Sequence, residues 1–185
     1  KRKMKKKFVG IFLAAILVTS VVALGAVAVA KPGNVPNGQA GKSNVAHLYL
    51  FEKDPATWQI VEEGAWGKMK YNLAGPEFDF VFNGHELEPN TDYSLIYYAD
   101  GWPGNNPGAL IASGTSNEEG NIHLAGSPDL GMDLPDSVDA NYPDGAKIWL
   151  VLSDDYSVTD TKMTAWNPTE YLFEYALITF DDTGV

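Results

Sequence analysis

Phe78-Asp79-Phe80-Val81-Phe82 decides the fold class of this chain. Successive side chains of an extended strand point to opposite faces, so its three phenylalanines share one face. Asp79 and Val81 take the other. This period-two contrast is that of a strand with one face on a core and one face toward water.

Working outward, similar signals recur at short intervals. His47–Glu52 is a nearly continuous apolar run, and Trp58–Val61 follows the Asp54-Pro55 turn. Ala65–Tyr71 precedes the phenylalanine strand, and Tyr93–Ala99 follows it. Leu110–Thr115 and Asn121–Gly126 flank Asn117-Glu118-Glu119-Gly120, read as a hairpin turn with glycine where positive φ is needed. Ala146–Leu152 is strongly apolar, and Tyr171–Phe180 reads as a long closing strand. No helical stripe occurs after residue 31. About nine strands with turn signals between them predict an all-β domain, a β-sandwich of two antiparallel sheets. Two longer loops, Asp100–Gly108 and Ser127–Gly145, are candidates for binding loops.

Leu87-Glu88-Pro89-Asn90-Thr91-Asp92-Tyr93 has the form L-x-P-x-T-x-Y. It resembles the tyrosine corner of fibronectin type III and related Ig-like domains, where the Tyr hydroxyl bonds back to the backbone. The resemblance implies an Ig-like sandwich with Tyr93 at a corner between sheets. The chain continues for about ninety residues past the corner, more than a fibronectin-type domain, so the sandwich is larger or differently wound. The mature region also resembles uncharacterised exported archaeal β-sandwich proteins, on the phrase Trp166-Asn167-Pro168-Thr169-Glu170-Tyr171-Leu172-Phe173-Glu174. That resemblance implies no activity.

The N-terminus sets the compartment. Lys1, Arg2, Lys3, Lys5, Lys6 and Lys7 precede an uncharged run, Phe8–Ala30, that ends in Ala28-Val29-Ala30. This is the order of a secretory signal peptide, so residues 1–30 are expected to form an apolar signal helix removed before Lys31. The run is also long enough to stay as an uncleaved anchor, the one route by which the chain would meet a membrane. Residues 31–43 are rich in Gly, Pro and Asn and read as a flexible linker. Residues 44–185 form the domain, which is expected to be secreted or displayed at the cell surface.

After residue 30 there are seven cations against 24 acids, a net charge of −17, with no Arg and no Cys. Nucleic-acid binding needs a basic stripe and is excluded as an expectation. Without disulfides the domain must hold by core packing or bound cations.

Five Trp and nine Tyr supply candidate ligand residues. Aromatic faces stack on sugar rings, so loop tryptophans on an exported sandwich point to glycan. Trp102, in Gly101-Trp102-Pro103-Gly104, comes first, then Trp66 and Trp166, with Tyr98 on the strand before the loop. Each indole has a competing role as a plug at a sandwich end. Asp129, Asp133, Asp136 and Asp139 crowd one loop and are candidate Ca²⁺ ligands, although no segment has EF-hand order. His47, His85 and His123 have no metal-ligand spacing. No nucleophile elbow or phosphate loop occurs, and no carboxylate pair is selected by spacing. The reading is a non-catalytic extracellular binding or adhesion module for glycan or protein. The alternatives are a cell-envelope assembly protein that pairs by strand addition and a secreted hydrolase.

The secreted form is expected to start at Lys31, which N-terminal sequencing of protein from culture medium checks. Recovery only in membranes, with residues 8–30 intact, establishes the anchor instead.

Overall fold

The computed structural model describes residues 43–99 and 108–185. The leader, nearly all of the linker, and Trp102 with most of its loop lie outside the described residues. The described chain is almost all β, with two one-turn 3-10 segments, Ser153–Asp155 and Pro168–Glu170, and no α-helix. No helix among the described residues is long and apolar enough to cross a membrane.

In chain order the strands are β1 (Val45–Phe51), β2 (Trp66–Asn72), β3 (Ala74–Gly75), β4 (Phe80–His85), β5 (Asp92–Tyr98) and β6 (Ala109–Thr115). There follow β7 (Ile122–Gly126), β8 (Lys147–Leu152), β9 (Tyr156–Ser157), β10 (Lys162–Met163), β11 (Leu172–Glu174) and β12 (Asp181–Asp182). Eight of them hydrogen-bond into one antiparallel sheet, in the order β6-β5-β8-β11-β1-β2-β4-β7. Two short pairs, β9 with β10 and β3 with β12, flank it.

This sheet is rolled until its two edge strands lie side by side, nearly a barrel. The seam between β6 and β7 is closed by side chains rather than a ladder. A Cβ added at Gly114 on β6 would stand 2.7 Å from Leu124 Cδ2 on β7. Opposite the seam, β11 joins the two halves through only two residue pairs, Leu50–Glu174 and Phe51–Phe173.

The expected alternation at residues 78–82 is present. Phe78, Phe80 and Phe82 are buried, while Asp79 and Val81 are exposed. They join Leu48, Leu50, Met69, Leu95, Tyr97 and Leu150 in the interior of the roll. A second apolar layer lies outside the sheet over β5, β8 and β11, built on Ile96, Tyr98, Trp149, Val151, Tyr171 and Phe173. The β8–β11 region is thus buried on both faces, which explains its continuous apolar sequence.

Three expected elements differ. Trp58–Val61 is not a strand: only Ile60 bridges, to Lys53, and Trp58 has φ 60°. Tyr171–Phe180 is not continuous: β11 stops at Glu174, where the Tyr175 N–H turns to the Tyr49 carbonyl at 2.8 Å. Beyond it Ile178 and Phe180 make isolated bridges to Ala146 and Leu134. Finally, the 117–120 turn reverses the chain, but β6 ladders with β5 and β7 with β4 instead of with each other.

Gly120 in that turn has φ 71°, and a Cβ there would run into the Leu87 carbonyl. Asn117 Oδ1 accepts the N–H groups of Glu119 and Asn121, at 3.0 and 2.8 Å. Tyr93 is buried, and its hydroxyl accepts the Glu88 N–H at 3.3 Å. Ser116 Oγ donates to the Glu88 carbonyl at 2.6 Å and accepts the Thr91 N–H at 3.0 Å, tying the 87–93 segment to the turn. Tyr93→Phe is expected to cost about 1 kcal/mol in denaturant unfolding. Gly120→Ala should cost about 2 kcal/mol or more, because strain and contact add. A neutral Gly120→Ala would contradict this account of the turn.

Candidate functional site

The outer layer over β8 and β11 carries the two half-exposed indoles of the described residues, Trp58 and Trp166, and two local structures place them. The first is the tip after β1. Asp54 Oδ1 accepts the Ala56 and Thr57 N–H groups and the Thr57 hydroxyl, at 3.0, 2.8 and 2.9 Å. The Thr57 hydroxyl and then its N–H hold the Asp54 carboxyl below its ordinary value. The Trp58 N–H closes the turn on the Asp54 carbonyl at 2.7 Å. These local bonds outweigh the β preference of the Trp58–Val61 segment and swing the indole onto Phe173, with ring centroids 4.8 Å apart.

The second is the Trp166–Glu174 segment. Tyr171 Oη donates to Asp155 Oδ2 at 2.5 Å, and Asn167 Nδ2 donates to the same oxygen at 2.8 Å. The Asn167 N–H donates to Tyr171 Oη at 2.9 Å. Asp155 and Tyr171 are both buried, so this closed network satisfies polar groups that would otherwise be costly. Burial, and then the bond to Asp155, raise the Tyr171 hydroxyl pKa. The network fixes the turn that carries Trp166. Its ring lies 5.7 Å from those of Trp149 and Tyr171 and 6.0 Å from that of Phe173.

Trp58 and Trp166 therefore flank one support, Phe173, and are 46% and 41% exposed. Trp149 lies beneath, edge-on to Phe173 at 5.1 Å and stacked on Tyr98 at 3.8 Å with planes 12° apart. Two charged groups border the patch. Trp149 Nε1 donates to Glu174 Oε2 at 2.5 Å. Lys53 Nζ donates to the Glu174 carbonyl at 3.0 Å and stands 5.7 Å above the Trp58 ring. Desolvation raises the Glu174 pKa and lowers that of Lys53. The surface offers flat rings, an ammonium and a carboxylate side by side, the groups needed to stack on a sugar ring and bond its hydroxyls.

Of the sequence-based candidates, Trp166 and Tyr98 come together here. Trp66 lies elsewhere, on β2, buried and 4.7 Å from the His85 ring. Trp102 lies outside the described residues. Trp58, placed in a strand by sequence reading, is the residue that reading missed. The aspartate loop uses its oxygens on hydrogen-bond donors of the protein itself. Asp129, Asp136 and Asp139 accept the N–H groups of Gly131, Val138 and Asn141, and Asp133 accepts that of Asp182. Asp139 is also buried on the Tyr97 hydroxyl at 2.6 Å. Among the described residues no group of three or more His, Asp or Glu side chains is arranged to hold a metal.

No family model, curated protein or solved structure matches this chain.

Because the folded chain holds the Glu174 proton more tightly than the unfolded chain, ionising this group costs stability. Its contribution falls as pH rises from the ordinary glutamate value of about 4.5 through the raised folded value. Glu174→Gln keeps an oxygen for Trp149 Nε1 and removes the titration. The stability of this variant relative to wild type is expected to rise with pH across that window in denaturant unfolding. A difference that stays flat with pH would refute it.

Proposed function

We propose that this domain is a non-catalytic extracellular glycan-binding module, with Trp58 and Trp166, propped on the buried Phe173, as its stacking platform. The observation that carries the reading is the pair of half-exposed indoles held on one ring. A non-glycine residue at positive φ is uncommon, and here the backbone that holds it is pinned by four hydrogen bonds around Asp54. Strain spent on presenting an indole to solvent supports a contact role. The Lys53 ammonium and Glu174 carboxylate beside the rings suit sugar hydroxyls. Trp102, outside the described residues, remains a proposed ligand residue on sequence grounds alone.

The finer fold assignment belongs to the same proposal. We read the rolled sheet as an Ig-like sandwich of two four-stranded layers, β6-β5-β8-β11 against β1-β2-β4-β7, with Tyr93 at a corner. The two-pair join at β11 supports that division. The leader reading makes the domain a secreted or surface-held one.

A second reading, assembly by strand addition, is favoured by the unladdered seam between β6 and β7. It requires polymers that disappear when residues 31–43 are deleted.

Trp58→Ala and Trp166→Ala are each expected to weaken binding to neutral polysaccharide by roughly 1–3 kcal/mol, the size of other aromatic stacking contacts. Trp102→Ala should act likewise with its thermal midpoint nearly unchanged. Calorimetric titration beside a melting curve separates binding from packing. A large stability loss with unchanged affinity would end the stacking role of that residue.

A further inference from the structure

The outer face of β1, β2, β4 and β7 is a second surface of different chemistry. Ladder register places His47, Lys70, Val81 and Ala125 in one outward row across the four strands. Tyr49, Lys68, Asn83 and His123 form the next row. A third row holds Phe51, Trp66 and His85. No acid occurs at these eleven positions, in a chain with 24 acids. All three histidines of the chain lie on this face, with two of the seven lysines that follow residue 30.

Among the described residues the two lysines of this face form no ion pair. Lys68 and Lys70 are exposed, two residues apart on one side of β2, about 7 Å along the strand. Lys68 stands 5.3 Å over the Tyr49 ring, and neither ammonium has a carboxylate partner among the described residues. His47, facing both lysines, has its pKa lowered by burial and then by Lys68 and Lys70. Asn83 Oδ1 pairs with His123 Nδ1 at 2.8 Å, and Asn121 Oδ1 with His85 Nδ1 at 2.8 Å, neutral partners in both cases. Like charges held together without a counter-charge are destabilising unless something outside the fold neutralises them.

The rows run into a notch of about 550 Å³ at one end of the face. Lys70 and Val81 belong to both, and Asn44, Asn72, Asp79 and Ser127 are among its polar lining. Asp79, the one carboxylate there, accepts the Ser127 hydroxyl at 2.5 Å. The notch has the size of a small-ligand site, and Lys70 overlooks it.

We propose that this face binds the anionic groups of an acidic polysaccharide, uronate or sulfate, through Lys68 and Lys70, with the notch beside Lys70 seating a sugar ring. The proposal rests on the glycan reading above and names the class of glycan. An open, flat row of cations suits an extended polyanion laid across the strands. The acid-rich loop of a second copy is the poorer occupant, because Asp129, Asp133, Asp136 and Asp139 already bond backbone N–H groups. The domain's net negative charge does not forbid the contact, because at physiological salt charges farther than about 8 Å are largely screened. The two surfaces share a sheet but are joined only through buried residues. Phe51, at the end of the third row, pairs in register with Phe173 beneath the indoles.

The test compares the full chain with Lys68→Gln/Lys70→Gln, both exposed positions, on immobilised polygalacturonate, dextran sulfate and unmodified neutral glycans. Melting curves and sedimentation velocity accompany it. Expected are retention on both polyanions that falls as salt rises from about 50 to 500 mM, and about tenfold or more weaker binding by the variant at an unchanged melting temperature. Neutral-glycan binding should be unchanged in the variant and weakened in Trp58→Ala. Retention on neutral glycans alone, or polyanion retention indifferent to the two lysines, overturns this proposal and leaves the stacking platform standing. Lysine-dependent self-association without polyanion binding overturns it in favour of a second copy. No retention on any matrix overturns both readings together.

Discussion

Two residue pairs, Leu50–Glu174 and Phe51–Phe173, make the one ladder that joins the two halves of the described sheet. Strand β11 is three residues long and ladders with β8 on its other side through Leu172–Leu150 and Phe173–Trp149. Side chains alternate along a strand, so this register sends Leu172 inward and Phe173 outward. A slip by one residue would exchange the two, moving Phe173 into the roll and leaving Trp58 and Trp166 without support. Burial on both faces pins the register. The interior core, the outer aromatic layer and the candidate site therefore share one constraint.

What could be read in the amino acids follows from the range of each interaction. The phenylalanine alternation at 78–82 was legible because a half-buried strand shows its period directly. Gly120 was legible because its turn needs positive φ whatever the strands do next. The partners of β6 and β7 were not, since a turn fixes chain reversal but long-range packing chooses the ladder. Trp58 was hidden for the opposite reason. Its segment has strand composition, yet Asp54, four residues earlier, captures the backbone locally. In the aspartate loop, composition alone could not say whether the oxygens would face an ion or the loop's own amides. The cationic face was invisible to net charge, which averages over surfaces that only register separates.

The Trp166–Glu174 segment shows how a structural device and a candidate site can occupy the same residues. Asn167 and Tyr171 satisfy the buried Asp155 carboxylate, Phe173 supports both indoles, and Glu174 accepts the Trp149 N–H. Removing the Asn167 side chain would take one of two donors from the buried Asp155 carboxylate and loosen the turn that carries Trp166. Stability and presentation of the aromatic surface are coupled through this segment.

The outer aromatic layer also bears on the entropy of recognition. A tryptophan on a free loop must surrender rotamer and backbone freedom when a ligand settles on it, at roughly 0.5–1.5 kcal/mol for each ordered side chain. Here Trp58 is held by its Asp54 turn and leans on Phe173, and Trp166 leans on three rings. Folding has already met that cost, so a ligand gains most of the stacking energy without ordering its host. A surface of this kind selects by shape, accepting what lies flat across two fixed planes and discriminating little among ligands that do.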